Sequence, residues 1–296
     1  MAPVFYDITL TMGYSYDVPV FNARHILRLL PLSLPDRQRL IAGSLSVDPA
    51  PQEQSAFIDF FRHPTTSVML RLPHEALNIR MQARVQVESQ SMPADLSPLP
   101  AQLSEELAGV WSLEPESPHH FVSASPRIGE SKVIADYAKS CVTSTSTVMQ
   151  AAYALCKRIN RDFVYDPEAT QVDTTPEEAF ELKRGVCQDF SHIMIAALRS
   201  LGIPAGYVSG FLRTIPPPGK ERLEGADAMH AWVRIWCGKN IGWIELDPTN
   251  DIPAGTDHIV VGYGRDYADV APVIGMLKGY GNHSVTQAVD VVPVGG

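Results

Sequence analysis

The chain has 296 residues, 45% of them hydrophobic and 19% charged, with a formal net charge of −9. That is enough apolar material for a packed core and a length suited to about two domains. The negative balance argues against nucleic acid or an anionic membrane as the main partner, because both attract basic surfaces. The four cysteines, Cys141, Cys156, Cys187 and Cys237, form no CxxC pair and are too few for a disulfide scaffold, which favours a reducing compartment. The stretch Met1–Asp7 has neither a basic region nor a continuous apolar one, and no apolar run approaches the ~18 residues of a membrane span. The expectation is a cytoplasmic protein with no membrane partner.

Val4, Tyr6, Ile8, Leu10 and Met12 alternate with Phe5, Asp7, Thr9 and Thr11, and Leu77, Ile79, Met81, Ala83, Val85 and Val87 alternate with polar residues from Asn78 to Glu88. A two-residue period marks strands with one buried and one wet face. With shorter extended runs near 25–30 and 66–72, these predict an antiparallel β-domain ending near residue 88. Residues 89–100 read as a linker and 101–109 as a short helix. Val148, Ala152, Leu155 and Ile159 share a helical face. Thr175 and Glu178 form a capping box with Pro176 at the first helical position, and Gly185 is expected to end that helix. From about 206 the chain is mostly strands, interrupted by a proline-dense insertion at 215–220. The predicted organisation is α+β: an N-terminal β-domain with linker over 1–100, then a catalytic domain over 101–296.

Phe190, Ile193, Met194, Ala197, Leu198 and Leu201 follow an i, i+3, i+4, i+7 pattern stopped by Gly202 and Pro204. Cys187 therefore opens a buried amphipathic helix. The free N–H groups and positive dipole end there favour a thiolate and can hold an oxyanion. Asp189 in the first turn slightly opposes the thiolate. A cysteine at a helix start is about as often a small buried hydrophobe, so the partner residues decide.

They come from a hairpin. Residues 230–236 and 241–247 both alternate, with Cys237-Gly238-Lys239-Asn240 between them. If these four form the loop, Trp232 faces Glu245 and His230 faces Asp247, whose Cβ atoms would then lie ~5 Å apart. A carboxylate beside an imidazole fixes its tautomer and stabilises the imidazolium. A His–Asp pair that merely joins two strands is the plainer alternative, weakened by the cysteine. Trp232 and Trp236 are candidates for a substrate groove, set against the commoner role of strand aromatics in a core.

Other chemistry-bearing residues are set aside. The adjacent His119 and His120 have no partner spaced for zinc. His192 lies about 140° around the helix from Cys187. Cys141, Cys156 and Cys237 have no base nearby in sequence. Arg265, Asp266 and Tyr267 are candidates for the border of the site, set against the favoured role of a salt-bridged turn. No EF-hand or nucleotide loop is present, so no metal or cofactor is expected.

The segments RGVCQDFSHIMIAALRSLGIPAGYVSGFL, DAMHAWVRIW and GWIELDPTN resemble the transglutaminase-like superfamily, a branch of the papain-like cysteine-protease architecture. The stretches Tyr14–Val20, Leu27–Pro31 and Gly264–Val270 resemble its bacterial members with an N-terminal β-domain. The resemblance implies a triad of Cys187 as nucleophile, His230 as base and acid, and Asp247 as orienter. It implies acyl chemistry through a thioester on an amide of a peptide, protein or small molecule. Met229 stands where a small polar residue is expected and Gly206 where an arginine is common. With Gln188 and Trp232, these make up the expected substrate-contacting set. The reading is a cysteine hydrolase, with acyl transfer to an amine, or a non-catalytic peptide-binding module, as alternatives.

Overall fold

The computed structural model describes residues 3–214, 225, 227–279 and 281–295. The insertion at 215–220 lies outside the described residues. In chain order the first five strands are β1 (Val4–Leu27), β2 (Gln38–Asp48), β3 (Glu53–Ile58), β4 (Pro64–Leu70) and β5 (His74–Val87). Then come α1 (Pro100–Ala108), α2 (Lys132–Lys139), α3 (Val148–Asp162), β6 (Val164–Tyr165), α4 (Pro176–Leu182), β7 (Arg184–Gly185) and α5 (Cys187–Ser200). The chain closes with β8 (Ala205–Leu212), β9 (Ala228–Trp236), β10 (Trp243–Asp247), β11 (Ile252–Pro253), β12 (His258–Gly264), α6 (Tyr267–Val270), β13 (Val273–Lys278) and β14 (His283–Val294). The fold is α+β, with a β-rich N-terminal unit followed by helices packed on an antiparallel sheet.

β1 organises the first sheet, ordered β2-β5-β1-β4-β3. Its first half lies between β5 and β14, where Leu10 pairs with both Met81 and Val289. Its last turn of chain, Ala23–Leu27, lies between β4 and β13. Tyr6, Ile8, Leu10 and Met12 are buried on one face, as are Leu77, Ile79, Met81, Val85 and Val87 opposite, as the alternation requires. β13 and β14 fall within the segment 101–296 expected to be the catalytic domain, yet they pair with β1. Both ends of the chain therefore build the N-terminal sheet. The alternation could not show this, because it specifies a face and not a neighbour.

The second sheet runs β11-β10-β9-β8-β12. One face packs on α5, through Ala231, Val233, Ile235 and Leu246 against Ile193, Met194 and Ala197. From the other side, Phe211, Ile259 and Val261 join the core formed by β1 and β5. Polar contacts fix how the two sheets meet. Arg37 forms a two-pronged ion pair with buried Glu245 of β10. The Gln38 side chain donates to Leu32 O and Val260 O and accepts from Val260 N, each at 2.8 Å. The Tyr6 hydroxyl donates to Asp257 at 2.8 Å.

α4 starts as expected, with Thr175 Oγ1 accepting the Glu178 N–H and Glu178 accepting the Thr175 N–H. It ends at Leu182, not at Gly185, because Lys183 takes the left-handed conformation (φ 56°). Its ammonium lies 3.3 Å from the Phe180 ring centroid, a cation–π contact that offsets the strain of that backbone. No helix among the described residues is long and apolar enough to cross a membrane.

Burial pushes the Glu245 carboxyl up, but the Arg37 charge and hydrogen bonds from Arg37, Trp232 and Tyr263 hold it below the usual range. Removing one partner of such a pair strands a buried charge. Arg37→Met is expected to lower the unfolding free energy by about 3–5 kcal/mol, measured by chemical denaturation.

Candidate active site

Val186, extended at φ −111° and ψ −178°, leads into α5, so Cys187 is the first helical residue. Asp189 shapes this entry. Its Oδ2 accepts the Val186 N–H at 2.8 Å and the Thr170 hydroxyl at 2.6 Å. A Cβ at Gly185 would stand 2.4 Å from that oxygen, so only glycine lets the chain pass. Burial pushes the Asp189 carboxyl up, against these two hydrogen bonds, which lower it.

His230 and Asp247 meet, although not in the expected register. Trp236 pairs with Trp243, Ile235 with Ile244, Arg234 with Glu245 and Val233 with Leu246. The loop therefore spans six residues, 237–242, instead of four. It closes with Cys237 N donating to Gly242 O and Gly242 N to Gly238 O, each at 2.8 Å. Gly238 and Gly242 take positive φ of 87° and 74°, the conformation that lets two glycines bracket a longer loop. The offset is two residues, one full pleat period, so every side chain keeps its face. Asp247 lies diagonally from His230 instead of directly across, and the imidazole spans the gap: Nε2 is 2.8 Å from Asp247 Oδ2.

Asp247 is fully buried and takes five donors. Oδ2 receives His230, His258 at 3.2 Å and Asn250 Nδ2 at 2.7 Å. Oδ1 receives the backbone N–H of Thr249 at 2.9 Å and of Asn250 at 3.2 Å. Burial alone would raise its pKa, but these hydrogen bonds and the charge of His230 hold it far below the usual carboxylate range. For His230, burial opposes the charge, while hydrogen bonds to Asp247 and Cys187 and their negative charges push its pKa up to about 10. Cys187 lies beside the imidazole that Asp247 orients, and the two line one cavity.

His230, Asp247 and His258 offer atoms within 4.8 Å of one another, close enough to share an ion. Their hydrogen bonds speak against it. His258 Nδ1 accepts the Gly255 N–H at 3.2 Å, so Nε2 carries the proton and donates it to Asp247. The lone pair that a metal needs is occupied.

Cys187 and His230 border a cavity of about 220 Å³, and Gln188 and Met229 of the expected substrate set line it too. Two members of that set do not. Trp232 has no exposed surface and donates its indole N–H to Glu245 at 2.6 Å. A Cβ at Gly206 would point into the Phe121 ring at 2.7 Å, so the room an arginine would need is filled. Tyr207, Ser209, Tyr267 and, from the N-terminal sheet, Met12, Tyr14 and Gln287 complete much of the lining. Of these, the sequence singles out only Tyr267, and there a salt-bridged turn is the favoured role. The others were hidden because they come from elements far apart in the chain. Asn250 could have been found: an Asp whose side chain captures N–H groups two and three residues on is an ordinary turn motif.

The discounted residues sit elsewhere. His119 and His120 point their Nε2 atoms at the carbonyls of Val110 and Leu113. His192 is buried and accepts the Tyr267 N–H at 3.2 Å, and burial lowers its pKa to about 4. Arg265 pairs with Asp269, and Asp266 caps α6.

Residues 135–248 match the transglutaminase-like superfamily, and residues 6–86 match the bacterial transglutaminase-like N-terminal region. The uncharacterized protein Rv2569c of Mycobacterium tuberculosis (strain ATCC 25618 / H37Rv) is 36% identical over 274 residues, covering 88% of this chain and 84% of that protein. The chain belongs to the transglutaminase-like superfamily. The uncharacterized protein ML0607 of Mycobacterium leprae is 31% identical, covering 94% of this chain and 95% of its own. A solved structure from Cytophaga hutchinsonii, described as a candidate cysteine protease, superposes with a TM-score of 0.77 at 20% identity, covering 100% of this chain and 92% of that one. It shows that the whole two-part fold of this transglutaminase-like chain recurs. The scaffold is that of a thiol enzyme.

A folded-state pKa raised above the unfolded ~6.5 of histidine means that His230 contributes stability fully present below that value. The contribution is lost as pH rises through the folded pKa of about 10. The stability difference between wild type and His230→Gln should therefore be largest near neutrality or below and shrink on the alkaline side, as followed by denaturation at stepped pH. A difference independent of pH would remove the charged-imidazole account.

Proposed function

We propose that the protein is a cysteine hydrolase that opens an amide bond through a thioester. One observation carries the reading: His230 is hydrogen-bonded to buried Asp247 and lies beside a thiol at a helix N-terminus, and the thiol and imidazole border a cavity. The Cys187 proton passes to His230, and the sulfur attacks the amide carbon. N–H groups of the first turn of α5 stabilise the oxyanion that forms. His230 returns the proton to the departing nitrogen as the C–N bond breaks, leaving a thioester. Water then gives a proton to His230, attacks the thioester and releases a carboxylic acid and the free thiol. Asp247 keeps Nε2 protonated throughout, so that the other ring nitrogen faces the sulfur.

Activity on a panel of peptidyl and small amides should vanish in Cys187→Ala. In Asp247→Asn it should fall by about two to four orders of magnitude in kcat, because the His tautomer is then wrong. Adding a primary amine separates the two fates of the thioester. Acid product regardless of amine supports hydrolysis, and amine incorporated into the product selects acyl transfer. Absence of any Cys187-dependent turnover across the panel would sink the reading and leave a binding module.

A further inference from the structure

The cavity beside Cys187 is not built by the catalytic segment alone. Met12 and Tyr14 of β1 and Gln287 of β14 form part of its wall. Met12 and Gln287 are directly paired across the β1–β14 ladder, and Tyr14 follows two residues on, on the same face as Met12. The three thus form one rigid patch, held by two long strands instead of a loop. Apart from the Cys187–His230 pair, no described residue lining the cavity carries a charge. Burial holds the Tyr14 phenol neutral, pushing it up to about 12. The lining instead offers neutral hydrogen-bonding groups: the Tyr14 and Ser209 hydroxyls and the Gln287 carboxamide. Beyond the Cys187–His230 pair, an ionic group entering such a cavity would lose part of its water and meet no counter-charge on the wall, whereas a hydroxyl or carboxamide would find partners.

We propose that the β1–β14 patch is the specificity wall of the site. Met12, Tyr14 and Gln287 contact the substrate group next to the scissile amide and select an uncharged one with hydrogen-bonding capacity. The inference rests on the amide-hydrolase reading above and gives the N-terminal sheet its part in it. Gln287 is exposed at the surface of β14, so its charge can be changed without burying an ion in the core.

The test uses the full chain and a set of amides identical except for a neutral, acidic or basic group beside the scissile bond. Wild type should favour the neutral member by about tenfold or more in kcat/KM. Gln287→Glu should move the preference toward the basic member and Gln287→Lys toward the acidic one, each by about tenfold. Ratios unchanged in both variants would overturn the wall. The same proteins are treated with iodoacetamide and iodoacetate, and modification of Cys187, one of four free cysteines, is followed by mass spectrometry of the peptide that carries it, which needs no turnover. The iodoacetate-to-iodoacetamide rate ratio should fall in Gln287→Glu and rise in Gln287→Lys. If wild type shows no Cys187-dependent turnover, the hydrolase reading fails by itself. The alkylation ratios then decide the wall: opposite shifts keep it, and identical ratios remove it.

Discussion

A single buried carboxylate ties the site together. Asp247 has no exposed surface, and an unpartnered charge there would be far too costly to keep. It stays ionised because five donors converge on it from β9, the turn after β10 and the start of β12. Each donor constrains the backbone that carries it. The turn at Thr249–Asn250 must curl around Oδ1, β12 must begin at His258, and β9 must bring His230 to a diagonal position. Mispairing β9 and β10 by a single residue would turn the carboxylate to the wrong face and leave the charge unmet. The ion that orients the imidazole also enforces the register of the hairpin that carries it.

A second buried carboxylate couples this arrangement to the N-terminal sheet. Glu245 lies two residues before Asp247 on the same face of β10. It receives Arg37 from the N-terminal unit, the Tyr263 hydroxyl from β12 and the Trp232 indole from β9. The Trp232 ring in turn stacks at 27° to His230 and meets His258 edge-on, with centroids 6.1 and 5.1 Å apart. The Arg37 charge is what permits Glu245 to remain ionised, and Glu245 is what satisfies the indole N–H beneath the imidazole. The N-terminal sheet is therefore part of the support of the site as well as of its wall.

Much of this was legible in the sequence because it follows from short-range periodicity. The faces of β1 and β5, the capping box of α4 and the position of Cys187 at the head of α5 each depend on spacings of two to four residues. So does the sharing of a face by His230 and Asp247, which survived the two-residue error in loop length because side chains repeat every second residue. What could not be read were pairings between distant segments. Nothing local says that β14 returns to β1, that His258 becomes a second donor to Asp247, or that Gln287 lines the same cavity as Cys187. Trp232 shows the converse limit. An aromatic on the face that carries His230 is a natural groove candidate, but its indole N–H is taken by the buried Glu245 that the distant Arg37 pairs with.

The division of labour between apolar and polar contacts explains how a cavity persists between two packed sheets. Apolar cores tolerate rearrangement of similar volumes and so define an interface only loosely. Ion pairs and buried amide contacts hold in one geometry, since a shift leaves donors or charges unmet. Here Arg37–Glu245, Gln38 on the Leu32 and Val260 carbonyls, and Tyr6–Asp257 lie along the contact between the sheets. They pin the N-terminal sheet in one orientation over the second sheet. The β1–β14 ladder then extends past that contact as two long paired strands and reaches the mouth of the site without needing a loop to position it. The cavity lies between this ladder and the head of α5.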